Sequence, residues 1–317
     1  RLTMNRGLVI RSTGSWYAVK SDTGETLDCR IKGKLRMKGV RTTNPIAVGD
    51  RVCFEIQNDE TSESGQNGVI YEIETRKNYI IRKASNLSKE SQIIAANVDQ
   101  VFLVVTVNYP VTLPGFIDRY LISAEAYRVP AALVFNKLDL YNEKDYEKLD
   151  ELLQTYESIG YPCYQISAEK NFNIDPLREA MKGKISLLSG HSGVGKSTLL
   201  NALQPGLNLK TSEISDAHQQ GKHTTTFAEM FEMDGGGYMV DTPGIRGFGV
   251  IDMEKTEISH YFPEMFGLLG LCRFFNCTHT HEPGCAVKTA VENGEVPATR
   301  YESYLSLFAE ENSKYRE

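Results

Sequence analysis

The sequence predicts a multidomain α/β protein: a small β-barrel, then a central α/β domain, then a helical C-terminal region around a cysteine–histidine cluster. Three observations carry this. Five short β-prone runs fill the first 75 residues. Strands and helices alternate from about residue 95, the pattern of a parallel sheet with helices on its faces. Three of the six cysteines gather within residues 272–285. The 317 residues suffice for two or three domains, and the expected divisions are 1–75, 76–250 and 251–317.

The first five runs are Gly7–Arg11, Trp16–Val19, Leu27–Ile31, Arg51–Ile56 and Val69–Ile73. Turn residues separate them, among them Asp22-Thr23-Gly24, Asn44-Pro45 and Val48-Gly49-Asp50. Five strands in this span predict an OB-like barrel. Residues 1–50 hold ten Lys/Arg against four Asp/Glu, while the chain as a whole carries a net charge of −6. One basic module therefore sits on an acidic body. Arg30, Lys32, Lys34, Arg36 and Lys38 alternate with other residues, so a strand through them would project all five charges from one face. Such a stripe suits an RNA phosphate backbone, with Trp16 or Tyr17 as a stacking platform. The same stripe would also protect an exposed sheet edge from aggregation.

In the central region, Val101–Val105 is an unbroken apolar run, as expected of a strand buried on both faces. Phe116, Tyr120, Leu121 and Ala124 follow at helical spacing. Further strands are expected at Ala131–Phe135, Cys163–Ile166, Ile185–Leu188 and Tyr238–Val240, with helices over Leu149–Tyr156 and Thr198–Leu203. Between the strand at 185 and the helix at 198 lies Gly190-His191-Ser192-Gly193-Val194-Gly195-Lys196-Ser197-Thr198, which fits the phosphate-loop pattern in the context that pattern requires. Its glycines let backbone N–H groups converge on phosphate oxygens. Lys196 offers a positive charge, and the Ser197 hydroxyl is a ligand for Mg²⁺.

Asp241-Thr242-Pro243-Gly244 closes the strand at 238–240. An aspartate there can hold the Mg²⁺ water shell, and Gly244 can offer its N–H to a γ-phosphate. Asn136-Lys137-Leu138-Asp139 ends another strand. The Asp139 carboxylate can accept from both the ring N–H and the exocyclic amine of guanine; adenine would leave it unpaired. Asn136 can reach the other edge of the base, and the Lys137 stem can cover its face. Ser167-Ala168 fits a small-residue loop behind the base. Within Gly221–Thr226, Thr224 or Thr225 can complete the Mg²⁺ sphere when a γ-phosphate is present, and Thr225 is the candidate. The position after Gly244, where many GTPases carry a water-orienting Gln, is Ile245. Intrinsic turnover is therefore expected to be slow, on the order of 10⁻⁴–10⁻² s⁻¹. The imidazole of His223 is the candidate to orient or deprotonate the water.

Cys272, Cys277 and Cys285, with a histidine at 279 or 281, supply three thiolates and one imidazole for a closed, structural Zn²⁺ site. Cys29, Cys53 and Cys163 stand singly in apolar patterns and read as reduced core residues.

These motifs resemble those of the translation-factor-related GTPases, with their order changed: the guanine motif precedes the phosphate loop. The order is that of the circularly permuted GTPases. Over nearly the whole chain the pieces resemble the family of small-ribosomal-subunit-dependent GTPases, RsgA (also called YjeQ): the barrel with Arg30–Lys38 and Val48–Val52, Gly190–Ser197, Gly221–Thr226, and Cys272-Arg273-Phe274 through Glu282-Pro283-Gly284-Cys285. The resemblance implies His279 as the fourth zinc ligand and a catalytic role for His223. It implies GTP hydrolysis to GDP with Mg²⁺, stimulated by the small subunit and acting late in that subunit's maturation, with rRNA as partner. Two other readings use the same residues: a GTP-gated RNA-binding module, and a permuted GTPase of the large subunit.

Hydrophobic content of 41% and charged content of 24% are ordinary for a globular protein. No apolar run approaches the roughly 18 residues of a membrane span, and the first residues lack the apolar core of a secretory signal. The expectation is a cytoplasmic monomer without membrane contact.

Overall fold

A computed structural model describes residues 5–31, 45–58, 66–82, 92–207, 228–241 and 253–313. Strands β1 (Asn5–Ser12), β2 (Tyr17–Ser21), β3 (Thr26–Ile31), β4 (Arg51–Asn58) and β5 (Gln66–Ile73) run in the order β1-β2-β3-β5-β4, and β4 pairs back onto β1. The ring is thereby closed, with the β3–β5 pairing parallel and the others antiparallel. This is the five-stranded barrel expected. Alternation fills it: Val9, Tyr17, Val19, Leu27, Cys29, Val52, Phe54 and Ile70 form its core. Tyr17 therefore points inward, 1% exposed, its hydroxyl pushed up to about 12 by burial and the nearby Asp50. It is no stacking platform; Trp16, 38% exposed, remains available. Of the basic stripe, Arg30 lies exposed near the end of β3, while Lys32, Lys34, Arg36 and Lys38 lie outside the described residues.

A two-stranded ribbon, β6 (Tyr79–Arg82) and β7 (Gln92–Ala96), follows the barrel. Its junction with the barrel rests on Arg76, whose Nε and Nη2 each donate at 2.6 Å to the two oxygens of the fully buried Asp50. The Ala47 N–H donates to the same carboxylate at 2.8 Å.

The central sheet contains β8 (Gln100–Val105), β9 (Ala131–Phe135), β10 (Cys163–Gln165), β11 (Ile185–Ser189), β12 (Glu229–Glu232) and β13 (Tyr238–Asp241) in the order β10-β9-β8-β11-β13-β12. All neighbours are parallel except β12, which is antiparallel to β13. The two faces bury alternate residues. Val101, Leu103, Val105, Leu133 and Phe135 pack against α1 (Pro114–Ala126) and α2 (Glu143–Ile159). Phe102, Val104, Ala132 and Val134 pack on the other side against α3 (Asp175–Met181) and α4 (Lys196–Leu203). Burial on both faces explains the unbroken apolar strands. The barrel joins this sheet edge-on, where Arg11 of β1 pairs with Glu229 of β12 and Lys20 forms an ion pair with Glu232.

The C-terminal region holds α5 (Pro263–Phe266), α6 (Ala286–Glu292) and α7 (Ala298–Ser313). Its core of Ile258, Phe262, Met265, Val287, Val296 and Tyr304 also takes in Ile122 of α1, so this region packs on the central domain. Among the described residues, no helix is long and apolar enough to cross a membrane.

Candidate functional site

The parallel strands end together: Ser189 of β11 is in register with Leu103 of β8, and Val105 with Phe135 of β9. Among the described residues, the loops after β8, β9, β10 and β11 converge at this carboxyl edge, where ligands of open α/β sheets bind. The phosphate loop follows β11. At Gly190, with φ +149°, a Cβ would lie 2.5 Å from the Val104 carbonyl oxygen. At Gly195, with φ +94°, a Cβ would lie 2.5 Å from Asn136 Nδ2. Only glycine permits both the backbone turn and the close packing.

Gly195 is also the residue that starts α4, so Lys196, Ser197 and Thr198 occupy its first turn and their N–H groups are free of intrahelical partners. Lys196 Nζ donates to the carbonyls of Gly190 at 2.6 Å and His191 at 2.8 Å, which folds its charge over the loop. Burial lowers its pKa.

Asn136 joins three loops. Its Nδ2 donates to the Val194 carbonyl at 2.9 Å, and its Oδ1 accepts from the Ala168 N–H at 3.0 Å. The residue is 1% exposed. Lys137, in the left-handed region at φ 68°, donates from Nζ to the carbonyls of Gly193 and Tyr109, both at 2.6 Å. Ser167 Oγ donates to Asp139 Oδ1 at 2.5 Å, which orients that carboxylate. The residues 136–139, 167–168 and 190–198 are therefore one constellation. Asp241 pairs with Glu229 at the end of β13. Gly244, His223 and Thr225 lie outside the described residues, as does Ile245.

Two residues of this constellation carry no sequence motif. The Tyr141 hydroxyl accepts from the Val107 N–H at 2.8 Å and donates to the Asn136 carbonyl at 2.8 Å. Burial pushes this phenol up to about 12, so it stays a neutral donor. Thr112 Oγ1 accepts from the Thr106 N–H at 3.1 Å and bonds His191 Nε2 at 2.7 Å. A lone Tyr or Thr in a loop gives no pattern to read.

Cys272, Cys277, His279 and Cys285 place four ligand atoms within 4.8 Å of one another. Cys272 Sγ lies 3.6 Å from His279 Nδ1 and 4.0 Å from Cys285 Sγ, and Cys285 Sγ lies 3.4 Å from that nitrogen. Two sulfurs each about 2.3 Å from a tetrahedral centre stand about 3.8 Å apart. The donor set and spacing fit a zinc ion. The N–H groups of Ala286 and Lys288 point at the Cys272 and Cys285 sulfurs, both at 3.4 Å, and orient them. His281 is exposed, bonds Thr280, and stands outside the cluster. Cys29 and Cys163 lie outside this cluster, and burial pushes each of their thiols up to about 12.

Two family models match the chain: one described as RsgA GTPase over residues 73–251, and one described as RsgA N-terminal domain over residues 6–63. The chain belongs to the RsgA GTPase family. It is 57% identical over 312 residues to the protein named small ribosomal subunit biogenesis GTPase RsgA 2 of Bacteroides thetaiotaomicron, covering 98% of this chain and 99% of that one. Among solved structures it is similar to YjeQ from Thermotoga maritima, at a TM-score of 0.78 and 41% identity over 97% of this chain and 98% of that one. It is also similar to YloQ, described as a circularly permuted GTPase, at a TM-score of 0.77 and 28% identity over 98% and 96%. Like these RsgA relatives, the chain has a circularly permuted GTPase fold and is a GTP-hydrolysing enzyme. Membership in a GTPase family brings a guanine nucleotide and Mg²⁺ with it.

Proposed function

We propose that this protein binds the small ribosomal subunit and acts late in its maturation, hydrolysing GTP to GDP and phosphate under stimulation by the subunit. The observation that carries the proposal is the 57% identity, over nearly the full length of both chains, to a protein named for small-subunit biogenesis.

In this reading Asp139 recognises guanine, held by Ser167 and flanked by Asn136, Lys137, Leu138 and Ala168. The loop 190–198 holds the phosphates, with Lys196 exchanging its loop carbonyls for phosphate oxygens. Ser197, Thr225 and Asp241 hold Mg²⁺, which neutralises charge on the phosphates, and Gly244 contacts the γ-phosphate. His223 orients the attacking water in place of the side chain that Ile245 lacks. Cys272, Cys277, His279 and Cys285 hold one structural zinc ion. The stripe Arg30–Lys38 contacts rRNA. The modules divide at 1–75, 76–250 and 251–317, and the protein works as a cytoplasmic monomer.

The test is GTP turnover with and without purified small subunits, with large subunits and ATP as controls. Strong stimulation by small subunits alone is expected. Equal rates with and without them would overturn the proposal. His223→Ala should lose the stimulated rate while binding GTP as before; a retained rate would remove His223 from the chemistry.

A further inference from the structure

The helix α1 touches the candidate nucleotide site at one end and the C-terminal region along its length. At its start, Thr112 Oγ1 bonds His191 Nε2 at 2.7 Å, and Phe116 meets the same imidazole edge-on at 5.6 Å between ring centres. His191 is the second residue of the phosphate loop, and its carbonyl accepts from Lys196.

One turn further along α1, Asp118 is fully buried. It accepts from Arg300 Nη1 at 2.9 Å, Ser303 Oγ at 2.6 Å and the Tyr156 hydroxyl at 2.9 Å. Arg300 is itself fully buried, bonds Glu264 of α5 at 2.6 Å, and lies over the Phe262 ring at 4.7 Å. The helix that carries Arg300 and Ser303 also grips the cysteine–histidine loop. Tyr301 donates to the His279 carbonyl and Tyr304 to the Thr278 carbonyl, both at 2.6 Å.

An apolar contact would have sufficed to dock α7 on α1, and Ile122 provides one. A buried charge network instead fixes one relative position, because any shift leaves a buried charge unpaired. Packed elements of this kind pass displacement on when two sites bias the same element.

We propose that α1 couples the cysteine–histidine loop to the phosphate loop, with Arg300 and Thr112 as positioning residues at the two ends of the linkage. Neither residue belongs to the loop 190–198 or to the motif 136–139. Arg300 holds α1 through Asp118, and Thr112 holds His191. The proposal rests on the reading that 190–198 binds the nucleotide phosphates.

The test measures the Kd of a fluorescent GDP analogue for the full chain and for Thr112→Val, Ser303→Ala, Arg300→Met and the double variant Thr112→Val/Ser303→Ala. Ser303→Ala removes one bond to Asp118 and keeps Arg300, so it covers the case in which Arg300→Met fails to fold. Each single variant is expected to weaken binding roughly three- to tenfold. The double variant is expected to match the weaker-binding single variant, because both cut the same linkage. Two outcomes overturn the proposal: Ser303→Ala binding as the parent does while its Tm falls, or the two effects multiplying as independent ones do. Lys196→Ala separates the underlying reading. Unchanged binding there would show that the loop does not hold the phosphates, whatever the cycle gives.

Discussion

Asn136 Nδ2 and the Val194 carbonyl are bonded at 2.9 Å across 58 positions of sequence. The bond ties the loop at 136–139, the proposed base-reading loop, to the loop at 190–195, the proposed phosphate loop, by packing and not by their order along the chain. Permutation cuts a connection and keeps the packing. Contacts in space therefore survive a change in the order of motifs.

Asn136→Ala should damage both loops together. It strands the Val194 carbonyl and the Ala168 N–H in a site that is 1% exposed at Asn136. Each unpaired buried group costs about 1–3 kcal/mol. The expected result is a loss of GDP affinity of at least about tenfold, with a lower Tm for the free protein. Unchanged affinity by titration calorimetry would mean that the two loops hold their places without the bridge.

The pH dependence of nucleotide binding follows from Lys196. Burial lowers its pKa from the free-lysine value of 10.5. Between the lowered value and the unfolded one, the unfolded chain binds more protons, so this group's contribution to stability rises with pH there. Nucleotide binding runs the other way, because phosphate favours the charged amine. GDP affinity should fall as pH rises through the lowered pKa, and the fall should begin below 10.5. Lys196→Arg keeps its charge and should flatten the profile below pH 10.5. Parallel profiles for the two proteins would sink the assignment.

The junction between the barrel and the β6–β7 ribbon rests on Asp50 and Arg76. Their side chains are 0% and 9% exposed. Breaking a buried pair by removing one partner costs roughly 3–5 kcal/mol. Asp50→Ala should destabilise the protein by about that amount in urea unfolding. A loss below about 0.5 kcal/mol would place the pair among surface bridges.

Legibility in the sequence follows the range of the interaction. The glycines of the phosphate loop and the alternation in the barrel strands are local, and both were readable. The short elements α3 and β12 were not, because seven and four residues give too little periodicity to register. Trp16 and Tyr17 are equivalent candidates in sequence, and only the fold separates them: Tyr17 opens β2 and points into the barrel core, while Trp16, just before the strand, is 38% exposed. The Asp118–Arg300 pair spans 182 positions and no pattern of residue types announces it. The roles of Thr112 and Tyr141 are likewise tertiary: each is a hydroxyl that meets a loop brought close by folding.

Metal removal bears on the C-terminal region most directly. The four ligand atoms of Cys272, Cys277, His279 and Cys285 lie within 4.8 Å, and α6 begins at the last of them. Structural zinc contributes its binding energy to folding, about 10–16 kcal/mol in small peptides. Protein prepared without chelator should therefore contain about one zinc per chain, the content of a single closed four-ligand site. A strong chelator should lower the Tm and expose the peptide bonds of 272–285 to protease before those of the central sheet. Cys272→Ser should reproduce that pattern without chelator, since it removes one thiolate from the set. Full folding with no zinc by elemental analysis, and a melting curve that chelator leaves unmoved, would show that these four side chains pack without a metal.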